Sequence, residues 1–226
     1  MVQFEKIPLT KRYMIKALKF ALKHPKTAFL SVILGIGPYM TLHEYKIAKT
    51  SFTPENPVEK RMITYSDTWQ HMPTLHLLCL LKKPKIVLEL GCRTGNTTIP
   101  LLFAVSQYQD GHVYSVDIEK WPELKNFLDD DNELRKYWTF LESDDIILKW
   151  DKKIDFLYID TSHTYNHTMN ELRKYEPLVN SGGTIVFHDI FEEEVSKAIS
   201  DYFKNRKDFK YVRYFNNNSL GILLKE

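Results

Sequence analysis

The chain has 226 residues, 43% apolar and 27% charged, which suits a soluble globular protein with one sizeable core. Its formal net charge of +2 gives no global argument for a nucleic-acid partner. The two cysteines, Cys79 and Cys92, form no CxxC pair and stand in no histidine cluster of zinc-finger spacing. That argues against a disulfide framework or a structural zinc, and for a reducing, cytoplasmic setting.

Charge gathers at the start. Residues 1–26 hold Lys6, Lys11, Arg12, Lys16, Lys19, Lys23 and Lys26 against one acid, Glu5, around the apolar positions Ile15, Leu18, Phe20, Ala21 and Leu22. Residues 27–42 are apolar but broken by Gly35, Gly37 and Pro38, short of the ~20 residues a spanning helix needs. The long basic region and the absence of a convincing cleavage site read as not secreted. Residues 1–60 are expected to be a basic and apolar helical extension. It either packs on the domain with a solvated face or makes peripheral membrane contact through residues 1–42. It could equally serve a partner subunit. Pro54, Asn56 and Pro57 mark the break before the main domain, residues 61–226.

Beyond the break, short β-rich runs alternate with helical stretches, the pattern of a parallel α/β sheet. Lys85–Leu90 is a continuous apolar run between Pro84 and Gly91, as a strand covered on both faces requires. A helix follows over Thr97–Tyr108, with Pro100 tolerated in its first turn. Further strands are predicted at His112–Asp117, Trp138–Leu141, Ile154–Asp160 and Thr184–His188, with a helix at Tyr165–Tyr175 stopped by Pro177. Tyr211–Phe215 and Leu220–Leu224 flank Asn216-Asn217-Asn218 as an antiparallel hairpin. Trp69-Gln70-His71-Met72 reads either as a lid over a ligand or, more simply, as core.

The strongest local signal is Val87-Leu88-Glu89-Leu90-Gly91-Cys92-Arg93-Thr94-Gly95. A strand enters a glycine-bracketed turn and then a helix, but the spacing is GxxxG and not the GxGxxG of dinucleotide binding. Glu89 at the strand end suits a cationic amino-acid ligand better than a phosphate. Asp117 ends the second strand, where it can accept both hydroxyls of a ribose. The third strand runs into Glu142-Ser143-Asp144. Three consecutive strands ending in Glu89, Asp117 and Asp144 line one crevice with acceptors, at the sheet edge where open α/β folds bind ligands.

Two further strand ends carry reactive groups. Asp160 ends the fourth strand, His188 and Asp189 end the fifth, and His163 lies in the loop after Asp160. Neighbouring strands stand ~4.8 Å apart, so these side chains can converge on one ion or one hydroxyl. Asp160 and Asp189 are hard oxygen ligands suited to magnesium, and an imidazole tilts the choice toward manganese, iron or zinc.

From about Tyr65 onward the chain resembles the class I S-adenosylmethionine-dependent methyltransferases. More narrowly it resembles the O-methyltransferases of macrolide and cephalosporin pathways. The residues that carry the resemblance are Glu89 through Gly95, Val116-Asp117, Ile159 through Tyr165 and Gly182 through Asp189. It implies an α/β, Rossmann-like, seven-stranded and mostly parallel sheet with helices on both faces and a C-terminal antiparallel hairpin. It also implies S-adenosylmethionine as cofactor, with Glu89, Gly91 and Gly95 around the methionine part, Asp117 on the ribose, and Ser143 and Asp144 beside the adenine. Relatives hold a divalent metal with acids at the two reactive strand ends. The expected ligands here are Asp160, His188 and Asp189 for magnesium or manganese, with Asp160 and His163 as catalytic residues and His163 as base. The expected acceptor is a hydroxyl of a small molecule such as a sugar, a phenol or a lipid-linked compound. Asp160-Thr161-Ser162-His163 is not the Asn/Asp-Pro-Pro-aromatic run of a base-modifying N-methyltransferase. The rival from another class is a catalytically inactive protein that keeps the fold, either binding S-adenosylmethionine without turnover or serving as a membrane-associated scaffold.

Overall fold

The computed structural model describes residues 55–62, 66–129, 131–214 and 217–226. The chain divides into two units, Met1–Glu44 and Tyr45–Glu226, and every described residue belongs to the second. The expected basic helix and its membrane contact lie outside the described residues.

The strands are β1 (Ile86–Leu90), β2 (His112–Asp117), β3 (Trp138–Glu142), β4 (Ile154–Ile159), β5 (Val179–His188), β6 (Phe209–Tyr214) and β7 (Leu220–Lys225). They form one sheet in the order β3-β2-β1-β4-β5-β7-β6. The first five run parallel and β7 pairs antiparallel with both β5 and β6. The expected hairpin is therefore present, and its second strand is the one inserted beside β5. The strand at β5 begins earlier than the predicted Thr184, because Val179 pairs with Ile154 before a register shift.

Seven helices lie among the described residues: α1 (Pro57–Met62), α2 (Met72–Lys82), α3 (Thr98–Tyr108), α4 (Pro122–Asp129), α5 (Asn132–Arg135), α6 (Tyr165–Tyr175) and α7 (Glu193–Phe203). Alternation along the strands builds a core on each face of the sheet. Val87, Val113, Phe156, Tyr158 and Val186 pack against Leu75 of α2, Leu102 of α3, and Leu124 and Leu134 of α4 and α5. Leu88, Leu90, Leu157, Ile159 and Phe187 point the other way, against Leu172 of α6 and Val195 and Ile199 of α7. Each such fully buried side chain contributes roughly 1.5–3 kcal/mol. The helices take their positions from these stripes. In α7 the apolar residues Val195, Ala198 and Ile199 recur at i, i+3 and i+4 and face the sheet.

The register levels the strand ends that matter. Leu90 pairs with Val116 on one side and Ile159 on the other, and Ile159 pairs with Phe187. The residues that follow, Gly91, Asp117, Asp160 and His188, therefore emerge along one edge.

Candidate active site

A cleft of about 270 Å³ opens at this edge, between residues 66–68 and residues 91–94, with Asp160 at its inner end. Gly91 lines it and adopts φ +79°, which an L side chain rarely tolerates. Gly95, at φ +83°, turns to α4 instead: a Cβ there would stand 2.4 Å from Leu124 Cδ1. The two glycines thus have separate jobs, one toward the ligand edge and one toward helix packing.

Glu89 is fully buried and does not line the cleft. Its carboxylate accepts the hydroxyls of Thr97 at 2.6 Å, Thr98 at 2.7 Å and Ser115 at 2.5 Å. Burial pushes it up to about 7 against the pull of those three hydrogen bonds. The structure places it as the tie between β1, β2 and the start of α3. Asp117 holds the glycine loop from the next strand. Its Oδ2 accepts the backbone N–H of Cys92 at 3.0 Å and of Arg93 at 2.9 Å, and its Oδ1 that of Ile118 at 2.8 Å. Ser143 donates its N–H to the Asp117 carbonyl at 2.9 Å, and Asp144 Oδ1 accepts the N–H of Ile146 at 2.7 Å. Ile118 and Ile147, close in sequence to Asp117 and Asp144, stand 73% and 76% exposed.

At the reactive end, two imidazoles share the same two carboxylate oxygens. His163 Nε2 is 3.1 Å from Asp189 Oδ2 and 3.6 Å from Asp160 Oδ1. His188 Nδ1 lies at the same 3.1 Å and 3.6 Å from those two atoms. His188 is buried and its Nε2 has no hydrogen-bond partner among the described residues, whereas the His163 side chain is 43% exposed. Burial alone would raise Asp160, but His188 and His163 outweigh it and hold its carboxyl far below the usual range. The hydrogen bond to Asp160 raises His163, and Asp189 adds to that. Burial opposes charge on His188, yet Asp160 and Asp189 carry it well above the ordinary imidazole value. Tyr158 completes the group by donating its hydroxyl to Asp160 Oδ2 at 3.3 Å.

Asp189 holds φ +53°, a left-handed position that places its side chain between the imidazoles. Asp189 does not cap the next helix, since Glu192 is the N-cap of α7. Asp160, His163 and Asp189 each offer a ligand atom within 4.8 Å of the others, and His188 faces the same two carboxylates. Edges of 3.1–3.6 Å match those of ligands about 2.0–2.2 Å from a divalent ion, so these residues fit one. His163 faces the same two oxygens as His188 from the more exposed side.

The segment before α2 shapes the far wall. Trp69 and Met72 are buried with Val58, so they are core, while Ser66, Asp67 and Thr68 line the cleft. The C-terminal hairpin reaches this segment. Asn217 Oδ1 accepts the Gln70 N–H at 2.9 Å, and His71 Nε2 meets the Asn217 carbonyl at 3.0 Å. Ser219 accepts the Asp189 N–H on its carbonyl at 3.1 Å and the Phe191 N–H on its hydroxyl at 3.0 Å. No spacing rule links residue 70 to residue 217, and only the folded chain shows this contact.

The family model described as a methyltransferase domain matches residues 88–190. No curated protein matches the chain in sequence. Among solved structures it is similar to the O-methyltransferase from Bacillus cereus in complex with SAH, at 13% identity over 81% of this chain and 97% of that one, TM-score 0.63. It is similar to the O-methyltransferase TomG from Streptomyces achromogenes, involved in tomaymycin synthesis and in complex with SAM, at 13% identity over 80% and 94%, TM-score 0.58. It is also similar to a methyltransferase from Geobacter sulfurreducens, at 14% identity over 81% and 96%, TM-score 0.60. The chain has the fold of these methyltransferases, and the stretch that matches the methyltransferase-domain model runs from β1 to just beyond β5.

Proposed function

We propose that the chain transfers the methyl group of S-adenosylmethionine to a hydroxyl oxygen of a small-molecule acceptor. The observation that carries this reading is Asp160, which lines the cleft beside Gly91 and also faces His163 and His188. In this reading the sulfonium lies near Gly91 and Asp160, the ribose meets Asp117, and the adenine lies beside Asp144 between Ile118 and Ile147. A flat purine against two exposed isoleucines removes apolar surface from water on both partners.

Asp160 and Asp189, with His188, would hold a divalent magnesium or manganese ion. Bound there, the ion supplies Lewis acidity that lowers the pKa of an acceptor hydroxyl. A cation held on Asp160 and Asp189 would offset their pull on His163 and favour its neutral, proton-accepting form. Neutral His163, whose side chain is part exposed, accepts the hydroxyl proton on Nε2. The acceptor oxygen forms a bond to the methyl carbon as the carbon–sulfur bond breaks. The products are a methyl ether, neutral S-adenosylhomocysteine and a protonated His163. His188, buried behind the same oxygens, positions both carboxylates. The two buried free cysteines accord with a reducing, cytoplasmic setting, and no helix among the described residues is long and apolar enough to cross a membrane.

The test is calorimetric titration with S-adenosylmethionine and S-adenosylhomocysteine, with and without Mg²⁺ or Mn²⁺, followed by labelled methyl transfer to panels of sugars, phenols and lipid-linked alcohols. Expected is micromolar binding, near −8 kcal/mol, and transfer to oxygen that chelation abolishes. Binding without transfer to any panel would move the protein to the non-catalytic class, and no binding would end the proposal.

A further inference from the structure

A second group of metal-ligating side chains lies apart from the β4 and β5 ends. Asp145 follows β3, and His167 and Glu171 sit one turn apart on α6, so they share a helix face. Their ligand atoms lie within 4.8 Å of one another. The side chains are buried to different depths: Glu171 is 0%, Asp145 9% and His167 24% exposed. His167 Nε2 stands 3.1 Å and 3.2 Å from the two Asp145 oxygens and 3.9 Å from Glu171 Oε1.

One atom in this group lacks an answer. Glu171 Oε1 accepts the Thr161 hydroxyl at 2.6 Å, but Oε2 is buried with no hydrogen-bond partner among the described residues. The nearby ammonium of Lys174 is spent on the carbonyls of Asp145, Ile146 and Leu148, at 2.6–2.8 Å. Buried polar atoms are rarely left unpaired, because the lost hydration is not repaid. Burial drives Glu171 well above the carboxylate range, and the facing Asp145 adds to the push against the Thr161 hydrogen bond. Two carboxylates and an imidazole closed upon each other call for a cation.

We propose that Asp145, His167 and Glu171 form a second divalent-metal site, of the zinc or manganese class. Ligands about 2.0–2.2 Å from an ion stand about 3.0 Å apart in octahedral and about 3.4 Å in tetrahedral geometry. The Asp145–His167 edges match the first, and a small shift of the Glu171 carboxylate closes the third side. One imidazole with carboxylate oxygens favours zinc or manganese over calcium. The site is structural. It staples the loop after β3 to α6 and, through Thr161, to the residue beside Asp160.

The experiment uses the full chain carrying Asp160→Asn and Asp189→Asn, which disables the other cluster and leaves all three of these ligands. The protein is stripped with chelator, then titrated with Co²⁺ and back-titrated with Zn²⁺, with d–d absorption and Tm as readouts. Expected is one equivalent of Co²⁺ with a visible spectrum, displaced by Zn²⁺, and a Tm rise that chelator reverses. Adding His167→Gln, or separately the near-isosteric Glu171→Gln, weakens Co²⁺ at least about tenfold. A folded double variant that binds no Co²⁺ or Zn²⁺ overturns the site. Binding untouched by both added substitutions overturns it as well. Neither result bears on methyl transfer, which is measured separately.

Discussion

Gly91 and Asp160 meet backbone to backbone: a Cβ on Gly91 would stand 2.1 Å from the Asp160 carbonyl oxygen. The glycine turn after β1 and the end of β4 are therefore one rigid junction. Gly91→Ala is expected to cost about 3 kcal/mol, from a left-handed φ and a backbone clash that no rotamer relieves. Gly95→Ala, whose clash is with the movable Leu124 side chain, should cost less. Urea unfolding of the two variants checks the order, and equal costs would refute the junction.

Asp117 satisfies three backbone N–H groups, two of them on Oδ2. Asp117→Asn exchanges one acceptor oxygen for a donor and strands at least one loop amide, at about 1–3 kcal/mol. If Asp117 also holds the ribose, S-adenosylmethionine binding weakens by more than the fall in stability accounts for. Calorimetry and thermal melting on the same preparation separate the two effects.

His163 is the exposed member of the imidazole pair. His163→Gln is expected to lower kcat about 10²–10⁴-fold, the range for loss of a general base, with little change in S-adenosylmethionine affinity. Single-turnover transfer shows whether chemistry is the step affected. A variant that keeps its rate removes His163 from the mechanism.

Glu89 makes stability depend on pH. Its folded value of about 7 lies above its ordinary 4.5, so the folded state keeps the proton longer. Its contribution is complete below the unfolded value and declines as pH rises toward 7, by about 3 kcal/mol in total. Glu89→Gln carries no such proton. The difference in unfolding free energy between wild type and Glu89→Gln should therefore drift between pH 5 and 7. A flat difference would mean that the three hydroxyls hold the carboxylate ionised throughout.

The sheet was legible because its strands are short apolar runs that end in turn or charged residues. The α6 bounds were legible too, at Tyr165–Tyr175, because Pro177 closes the helix. Other elements hid for physical reasons. In α2, Met72–Lys82 is apolar on nearly every side, so a 3.6-residue stripe barely shows, and α7 opens on a run of acids that reads as loop, Glu192 as N-cap with Glu193 and Glu194 in the first turn. At the site, the sequence placed Asp144 and Asp145 side by side but could not say which turns inward. Packing decides: Asp144 caps its own loop, and Asp145 is buried against His167. The equal reach of His163 and His188 to the same two carboxylates depends on loop geometry that strand spacing does not specify.

The contact between His71 and Asn217 spans 146 residues of chain. The wall beside the cleft and the loop supporting Asp189 are both held by the turn between the last two strands. Contacts of such sequence separation form late, since the intervening chain must be ordered first. A chain in which β1 through β5 have already paired therefore lacks that support until the β6–β7 turn docks. The β6–β7 turn thus fastens two walls at once, so a change at Asn217 or Ser219 is felt both beside the cleft and at Asp189.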